Sequence, residues 1–194
     1  MRRFIWLFAA ILPVFVAAAC NRARPAESPF RPTATIKDIM DSMVDPSADV
    51  LWDSVATIVS AAGTEERRPR TDEDWAMVHR KAVELVEATN LLLMEGRHVA
   101  KPGEKAENPE VELGPDEIEK LITADRQAWT NFAHGLYDAA LPALKATEAR
   151  DAEALLNAGE AIDTACENCH LKYWYPLSKQ AEKAKEGAGS VRKP

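Results

Sequence analysis

The sequence predicts an all-α protein, an antiparallel four-helix bundle over residues 33–177. Apolar residues recur at alternating spacings of three and four along four separate segments, which is the pattern of helices that pack through one face. Helix start and stop residues bound these segments, and no run of residues is predicted as a strand. The 194 residues suffice for one such domain with terminal extensions. Mostly short breaks predict that consecutive helices pack antiparallel.

The first predicted helix starts near Thr33 or Thr35 and is interrupted by Asp45 and Pro46. Asp45 as a fresh N-cap, followed by proline in the first helical position, predicts a restart or kink rather than an end. Gly63 is the predicted C-cap. The apolar face consists of Ile36, Met40, Met43, Leu51, Val55, Ile58 and Ala62.

The second predicted helix follows a polar loop at residues 64–70 and begins at Thr71, an N-cap followed by three acidic residues. It stops before Gly96. Its face consists of Trp75, Val78, Ala82, Leu85, Thr89 and Leu92. Residues 97–114 contain two prolines, two glycines and several charges, which predicts a long surface loop.

The third predicted helix opens at residues 114–117 and continues past Pro142, which should kink it. Asp125 is the one polar residue on its apolar face. A break near Arg150 leads to the fourth predicted helix, which ends at or before Pro176. The face of this last helix consists of Leu155, Ala158, Ile162, Ala165 and Cys169.

Residues 166–170 read Cys-Glu-Asn-Cys-His, the attachment signature of a c-type haem. Two thiols one helical turn apart can both bond to one porphyrin edge, and His170 can then serve as the proximal iron ligand. A structural zinc site would need a further pair of ligands at fixed spacing. A redox dithiol normally opens a helix after a strand. The sequence therefore predicts one covalent haem c on the C-terminal helix, held by Cys166 and Cys169.

The first nineteen residues predict a cleaved signal peptide. Arg2 and Arg3 precede an apolar stretch that is too short for a membrane span, and small residues follow it. Cys20 then resembles the acylated cysteine of a bacterial lipoprotein; the alternative is an ordinary signal peptide that leaves a cysteine at the mature end. Because haem uses two of the three cysteines, acylation accounts for the third.

These features predict a periplasmic protein attached to the membrane through its lipid anchor alone. Residues 20–32 are rich in proline and arginine and predict a flexible tether. Residues 178–194 form a polar tail. Removal of residues 1–19 leaves 22 basic and 31 acidic side chains, a net charge of −9. This balance disfavours nucleic acid and favours a partner with a basic docking surface.

No Ser/His/Asp or Cys/His nucleophile arrangement and no phosphate-binding glycine motif is recognised in the sequence. The chain is therefore not predicted to be an enzyme. The remaining histidines, at positions 79, 98 and 134, are predicted to be surface or hydrogen-bonded structural residues rather than ligands.

A Cys-x-x-Cys-His motif near the end of a predicted helical bundle resembles the class II c-type cytochromes, which include cytochrome c′ and cytochrome c556-like proteins. The resemblance covers about residues 33–177. It implies thioether bonds at Cys166 and Cys169 and a proximal ligand at His170. Tyr173 matches an aromatic residue that packs near the haem in this family. Trp174 departs from the family, which often has arginine or lysine at that position.

The resemblance further implies that the distal residue comes from the first helix. Met43 is the first candidate and Met40 the second; the alternative is that both are ordinary core methionines. Methionine ligation implies a one-electron carrier that exchanges electrons with redox partner proteins. Family members that lack methionine ligation are five-coordinate and bind nitric oxide or carbon monoxide, which is the alternative function. If the Cys-x-x-Cys-His sequence occurs by chance, the chain is instead a haem-free structural lipoprotein. Family members often form homodimers through their first two helices.

Overall fold

The structure, a computed structural model, describes residues 28–181 and 183. The predicted signal peptide, Cys20, most of the tether and the end of the polar tail lie outside these residues. The described chain is mostly helical, and this part of the all-α prediction is confirmed. Residues 178–181, within the predicted tail, are also helical. The helices are α1 Ile36–Ile39, α2 Asp45–Ser54, α3 Asp72–Leu91, α4 Pro115–Ala124, α5 Arg126–Ala149 and α6 Ala152–Tyr173.

The core lies where the long helices meet. Helix α5 packs against both α3 and α6, and α2 packs against the same two helices. Leu51, Leu85, Leu155 and Ile162 are among the largest fully buried side chains, and each such burial contributes about 1.5–3 kcal/mol. Small buried residues allow close approach of the helix backbones; they include Ala82, Ala88, Ala140 and Ala143.

The first helical segment begins at Thr35, as predicted. The Thr35 hydroxyl accepts a hydrogen bond from the backbone N–H of Asp38 at 3.0 Å, and the Asp38 carboxylate accepts one from the N–H of Thr35 at 3.0 Å. This reciprocal capping box satisfies two N–H groups that the helix itself leaves unpaired.

A π-helical turn, Met40–Val44, joins α1 to α2, and the N–H of Asp45 donates to the carbonyl of Met40. The predicted N-cap at Asp45 was wrong, because Asp45 is itself helical (φ −61°, ψ −50°). Pro46 explains the change: its ring clashes with the carbonyl four residues earlier in a regular α-helix. The wider π turn accommodates the proline within a continuous helical segment.

A β-hairpin replaces the predicted end of the first helix and the first part of the following loop. Strands β1 Thr57–Ser60 and β2 Gly63–Glu66 pair antiparallel, with Ser60 opposite Gly63. The predicted C-cap at Gly63 and the prediction of no strand were therefore wrong. β-Branched Thr57, Ile58 and Val59 favour strand geometry, and Val59 is 78% exposed. Gly63 (φ +130°) supplies a backbone conformation that other residues rarely adopt.

Asp125 divides the predicted third helix into α4 and α5. Its backbone is not helical (φ −140°, ψ 75°), and its carboxylate accepts a hydrogen bond from the N–H of Ala128 at 2.9 Å. Asp125 is therefore the N-cap of α5, not a polar residue on a continuous helical face. The aspartate side chain competes for backbone N–H groups in this way, which favours caps over helix interiors.

The break before α6 lies at the predicted position. Arg150 adopts the left-handed conformation (φ 56°), and the Asp151 carboxylate accepts hydrogen bonds from the N–H groups of Glu153 and Ala154 at 3.1 and 3.0 Å. Helix α6 ends at Tyr173, shortly before Pro176. The Cys-x-x-Cys-His sequence therefore lies in the last turns of α6, as predicted.

Candidate cofactor site

Helix α6 presents both cysteine thiols of the motif and its histidine to one region of the interior. Cys166, Cys169 and His170 are half-buried, and Cys166 and Cys169 are free thiols. Residues three and four positions apart lie on the same side of a helix. All three side chains line one cavity, and Cys169 and His170 also line a second.

The two cavities adjoin, because Met40, Asp45, Trp129, Cys169 and His170 line both. The larger cavity has a volume of about 220 Å³ and the smaller about 20 Å³. Small-molecule and cofactor sites have volumes of roughly 300–1,000 Å³. A cofactor-sized group that contacts the motif would therefore fill both cavities and extend through the open mouth of the larger one.

Apolar side chains from three elements form the smaller cavity. The lining includes Val44 from the π turn, Leu92 at the end of α3, and Phe132 and Leu136 from α5. Such a lining excludes water and lowers the local dielectric, which strengthens any electrostatic interaction with a bound group.

The segment at residues 97–114 forms a wall of the larger cavity and is not merely a surface loop. Val99, Lys105 and Leu113 line this cavity. Backbone hydrogen bonds fix both ends of the segment: the N–H of Ile36 donates to the carbonyl of His98 at 2.9 Å, and the N–H of Leu113 donates to the carbonyl of Trp174 at 2.7 Å. Sequence reasoning missed this wall, although Val99 and Leu113, two apolar residues in a largely polar stretch, were a signal.

Arg97 ties the start of this wall to two helices. Its guanidinium donates to the carbonyl of Leu91 at 2.8 Å and to the carbonyl of Ala34. Burial lowers the pKa of Arg97. The carbonyl of Leu91 lies at the end of α3, where the helix dipole favours a positive charge. Arg97 therefore holds the end of α3 and the residue before Thr35 together beside the cavity.

The two candidate methionines, Met40 and Met43, lie in different surroundings. Met40 lines both cavities, whereas Met43 packs half-buried against the core and lines neither. The π turn adds one residue to the helical turn, so the face counted with α-helical spacing shifts after Met40. Val44, which is 1% exposed, occupies the buried position beyond it. The structure thus brings Met40, but not Met43, to the cavities that His170 lines.

Tyr173 carries a buried hydroxyl at the larger cavity. The side chain is 3% exposed, and its ring makes edge contacts with Trp129 and Phe132 at centroid distances of 5.2 and 5.7 Å. Among the described residues, the hydroxyl has no hydrogen-bond partner. An unpaired buried hydroxyl costs about 1–3 kcal/mol.

Burial determines the protonation of the motif. It raises the pKa of Cys166 to about 11 and that of Cys169 to about 12, so both thiols are protonated at neutral pH. Burial also lowers the pKa of His170, against the opposing charges of Asp45 and Glu167. The imidazole is therefore neutral at neutral pH, the form in which histidine binds metals.

The other histidines lie outside this site. The Nδ1 atom of His79 lies 3.0 Å from the Thr147 hydroxyl, and His98 pairs with Glu119 at 2.8 Å. His134 is exposed. Among residues 28–181 and 183, no group of three or more His, Cys, Asp or Glu side chains is arranged to hold a metal ion. Within the same residues, no helix has the length and apolar character needed to cross a membrane.

Comparisons of the chain with protein-family models, with curated proteins and with solved structures found no match. The interpretation of the site therefore depends on its own residues: two thiols, one imidazole and the cavities that they share.

Proposed function

We propose that the chain is an exported monohaem c-type cytochrome of class II that carries single electrons. One observation supports this most strongly: both thiols and the imidazole of the Cys-x-x-Cys-His motif line one largely apolar cavity. In the proposal, Cys166 and Cys169 hold one haem c through thioether bonds, and His170 is the proximal iron ligand.

The donor set suits a haem, and so does the largely apolar lining of the smaller cavity. When bound, haem supplies a reversible one-electron change at its iron. The chain's own residues attach it, orient it and keep water away. Trp129 and Phe132 contribute apolar surface, and the ring of Tyr173 packs against both of them.

Met40 is the distal ligand in this proposal, in preference to Met43. The preference is supported by Met40 lining both cavities together with His170. A thioether sulfur from Met40 as an iron ligand would favour electron transfer over the binding of small gases, and would raise the reduction potential.

The proposed architecture is an antiparallel four-helix bundle in which α1 to α2, α3, α4 to α5, and α6 each form one member. The proposal is supported by the packing of α2 on α3, α3 on α5, α5 on α6, and α6 on α2. These four contacts close a ring around one core, which is the arrangement that such a bundle requires.

The proposed location is the periplasm, with an acylated Cys20 as the membrane anchor. Labelling with a radioactive fatty acid tests the anchor: wild type should be labelled and Cys20→Ala should not. A labelled variant, or an unlabelled wild type, would contradict the anchor without affecting the haem proposal.

The proposed redox partner presents a basic surface. This is supported by the exposed carboxylates of Asp45, Asp163 and Glu167, which contribute negative charge near Cys166 or His170. Electron exchange with a basic small redox protein should slow as ionic strength rises, because salt screens exposed charges. A rate that is independent of salt would contradict this docking mode.

A five-coordinate protein that binds nitric oxide or carbon monoxide is the second candidate. The apolar lining of the smaller cavity, including Val44, Leu92 and Leu136, favours it, because a small uncharged gas needs no polar partner. The two functions differ in whether Met40 coordinates the iron.

Spectroscopy of the matured protein separates these functions. The chain is expressed with the c-type maturation machinery, and spectra are recorded oxidised and reduced, with and without carbon monoxide. Covalent haem with a methionine–iron charge-transfer band is expected for the carrier. A high-spin spectrum that responds to carbon monoxide would favour the gas binder. No covalent haem despite competent maturation would overturn both and leave the haem-free lipoprotein.

A further inference from the structure

Just after the end of α6, the side chain of Tyr175 folds back onto His170. Pro176 disfavours helical geometry at the preceding residue, Tyr175. The N–H groups of Trp174 and Tyr175 both donate to the carbonyl of His170, at 2.8 and 3.0 Å. Gln180 then donates from its side-chain amide to the carbonyl of Tyr175 at 2.8 Å. The local sequence thus fixes Tyr175 against the last turn of the helix.

The Tyr175 hydroxyl lies between His170 and Glu167. It donates a hydrogen bond to the Glu167 carboxylate at 2.7 Å, and its oxygen lies 3.5 Å from Nδ1 of His170, within reach of a long hydrogen bond. The rings of Tyr175 and His170 are 5.7 Å apart and tilted. Glu167 lies three residues before His170 on α6, so the three side chains meet on one side of the helix end.

The direction of these hydrogen bonds follows from the available protons. A tyrosine hydroxyl has one proton, and a carboxylate can only accept. The proton of Tyr175 therefore goes to Glu167, and its oxygen presents a lone pair to His170. This pair is favourable only if Nδ1 of His170 carries a proton. The neutral imidazole then has its free lone pair on Nε2.

We propose that Tyr175 and Glu167 are positioning residues that hold His170 in the tautomer with the proton on Nδ1 and leave Nε2 as the ligating nitrogen. The consequence for the iron rests on the proposed haem function. A histidine that donates to a carboxylate-linked acceptor is a more basic ligand. A more basic ligand favours ferric over ferrous iron, so this hydrogen-bonded chain lowers the reduction potential.

The tautomer is measured in the full chain produced without haem maturation, by ¹⁵N NMR of the His170 ring. In wild type, Nδ1 should show the shift of a protonated nitrogen and Nε2 that of an unprotonated one. Tyr175→Phe removes the acceptor and should give a mixture of tautomers. Far-UV circular dichroism of both proteins checks that the helices remain. A folded variant with unchanged His170 shifts would overturn the proposal.

The effect on the iron is measured as the midpoint potential of the matured protein. Tyr175→Phe and Glu167→Gln should each shift the equilibrium toward ferrous iron by about tenfold, which is about 59 mV for one electron. The double variant should shift it no further than the larger single effect, because both changes interrupt the same chain. Tyr137→Phe, and Glu160→Gln earlier in α6, are the matched controls and should leave the potential unchanged.

The two measurements distinguish the failure of this inference from that of the proposed function. If haem does not attach, the cytochrome proposal fails, and the tautomer measurement alone decides the positioning role. If haem attaches but potential and tautomer are unchanged in Tyr175→Phe and Glu167→Gln, the positioning role fails and the cytochrome proposal stands. Equal shifts in the control variants would also overturn the positioning role.

Discussion

Met40 and Met43 are close in sequence, and one backbone feature separates their surroundings. The π turn lets Pro46 lie within a helical segment, and it also changes which residues after Met40 face the interior. Helical spacing alone placed both methionines on one face. The deviation could not be predicted from that periodicity, because it depends on how the backbone relieves the clash at Pro46.

The matched variants Met40→Ala and Met43→Ala test this assignment in the matured protein. Met40→Ala should remove the methionine–iron charge-transfer band, lower the reduction potential and allow carbon monoxide to bind, because the second axial position becomes open. Met43→Ala should retain the band and the potential. Loss of the band in Met43→Ala, with retention in Met40→Ala, would reverse the assignment.

Asp38 links the start of α1 to the wall of the larger cavity. Its carboxylate accepts hydrogen bonds from Lys101 at 2.7 Å and from the N–H of Thr35 at 3.0 Å. The hydrogen bond from Lys101, and then those from Thr35, lower its pKa from 3.8 to about 2. A lowered pKa in the folded state means that stability is present above the unfolded pKa and is lost as pH falls toward the folded one.

Acid unfolding of Asp38→Asn tests this contribution. Between about pH 4 and pH 2, the free energy of unfolding of wild type should fall more steeply than that of the variant, because only wild type has this carboxylate to protonate. Urea titrations at several pH values measure the slopes. Asp138→Asn removes an exposed carboxylate that makes no hydrogen bond among the described residues, and it should keep the wild-type slope. Parallel curves for Asp38→Asn and wild type would contradict the prediction.

At the scale of elements, capping residues were the most informative part of the sequence. Thr35 and Thr71 begin helices as predicted, because their side-chain oxygens accept from backbone N–H groups in the next turn. Asp151 caps α6 in the same way, at the predicted break. Asp125 carries the same signal, but its position within an apolar face made the two helices look continuous. The β-hairpin was missed because Ile58 also fitted helical spacing, and spacing does not report exposure.

Helices α2 and α6 pack closely at Gly159, which has no side chain. A Cβ atom at Gly159 would lie 3.0 Å from Cδ1 and 3.3 Å from Nε1 of Trp52. The indole N–H of Trp52 also donates to the carbonyl of Gly159 at 3.1 Å. Gly135, in the interior of α5, has no atom within 4 Å of such a Cβ. Both glycines are helical, so they form a matched pair.

Alanine substitutions at Gly135 and Gly159 separate the effect of helix propensity on stability from the effect of packing. Gly135→Ala should stabilise the protein by about 0.5–1 kcal/mol, since alanine favours helices over glycine. Gly159→Ala gains the same propensity but crowds Trp52, which costs about 1–3 kcal/mol. The free energy of unfolding measured with urea should therefore be higher for Gly135→Ala than for Gly159→Ala by about 1–3 kcal/mol. Equal stabilities would show that α2 and α6 do not meet closely at Trp52.

At the scale of the whole molecule, the sequence pointed to the residues of the candidate site but not to the segment that encloses it. Cys166, Cys169 and His170 are recognisable from their spacing alone, and the structure places them beside one cavity. The wall formed by residues 97–114 depends on long-range hydrogen bonds, such as that between Leu113 and Trp174. No local propensity encodes a contact between segments so far apart in the chain.

The cavities beside the motif lead to a prediction for the stability of the whole chain. The cavities that adjoin the motif leave apolar contacts unmade in the haem-free protein. Covalent haem in this space should raise the thermal midpoint by about 10 °C, or roughly 3 kcal/mol for a chain of this size. Calorimetry of matured and unmatured full chains measures the difference. The variant Cys166→Ser/Cys169→Ser cannot form the thioethers, so its matured and unmatured preparations should have the same thermal midpoint. If haem-loaded wild type is no more stable than haem-free wild type, the haem does not occupy these cavities.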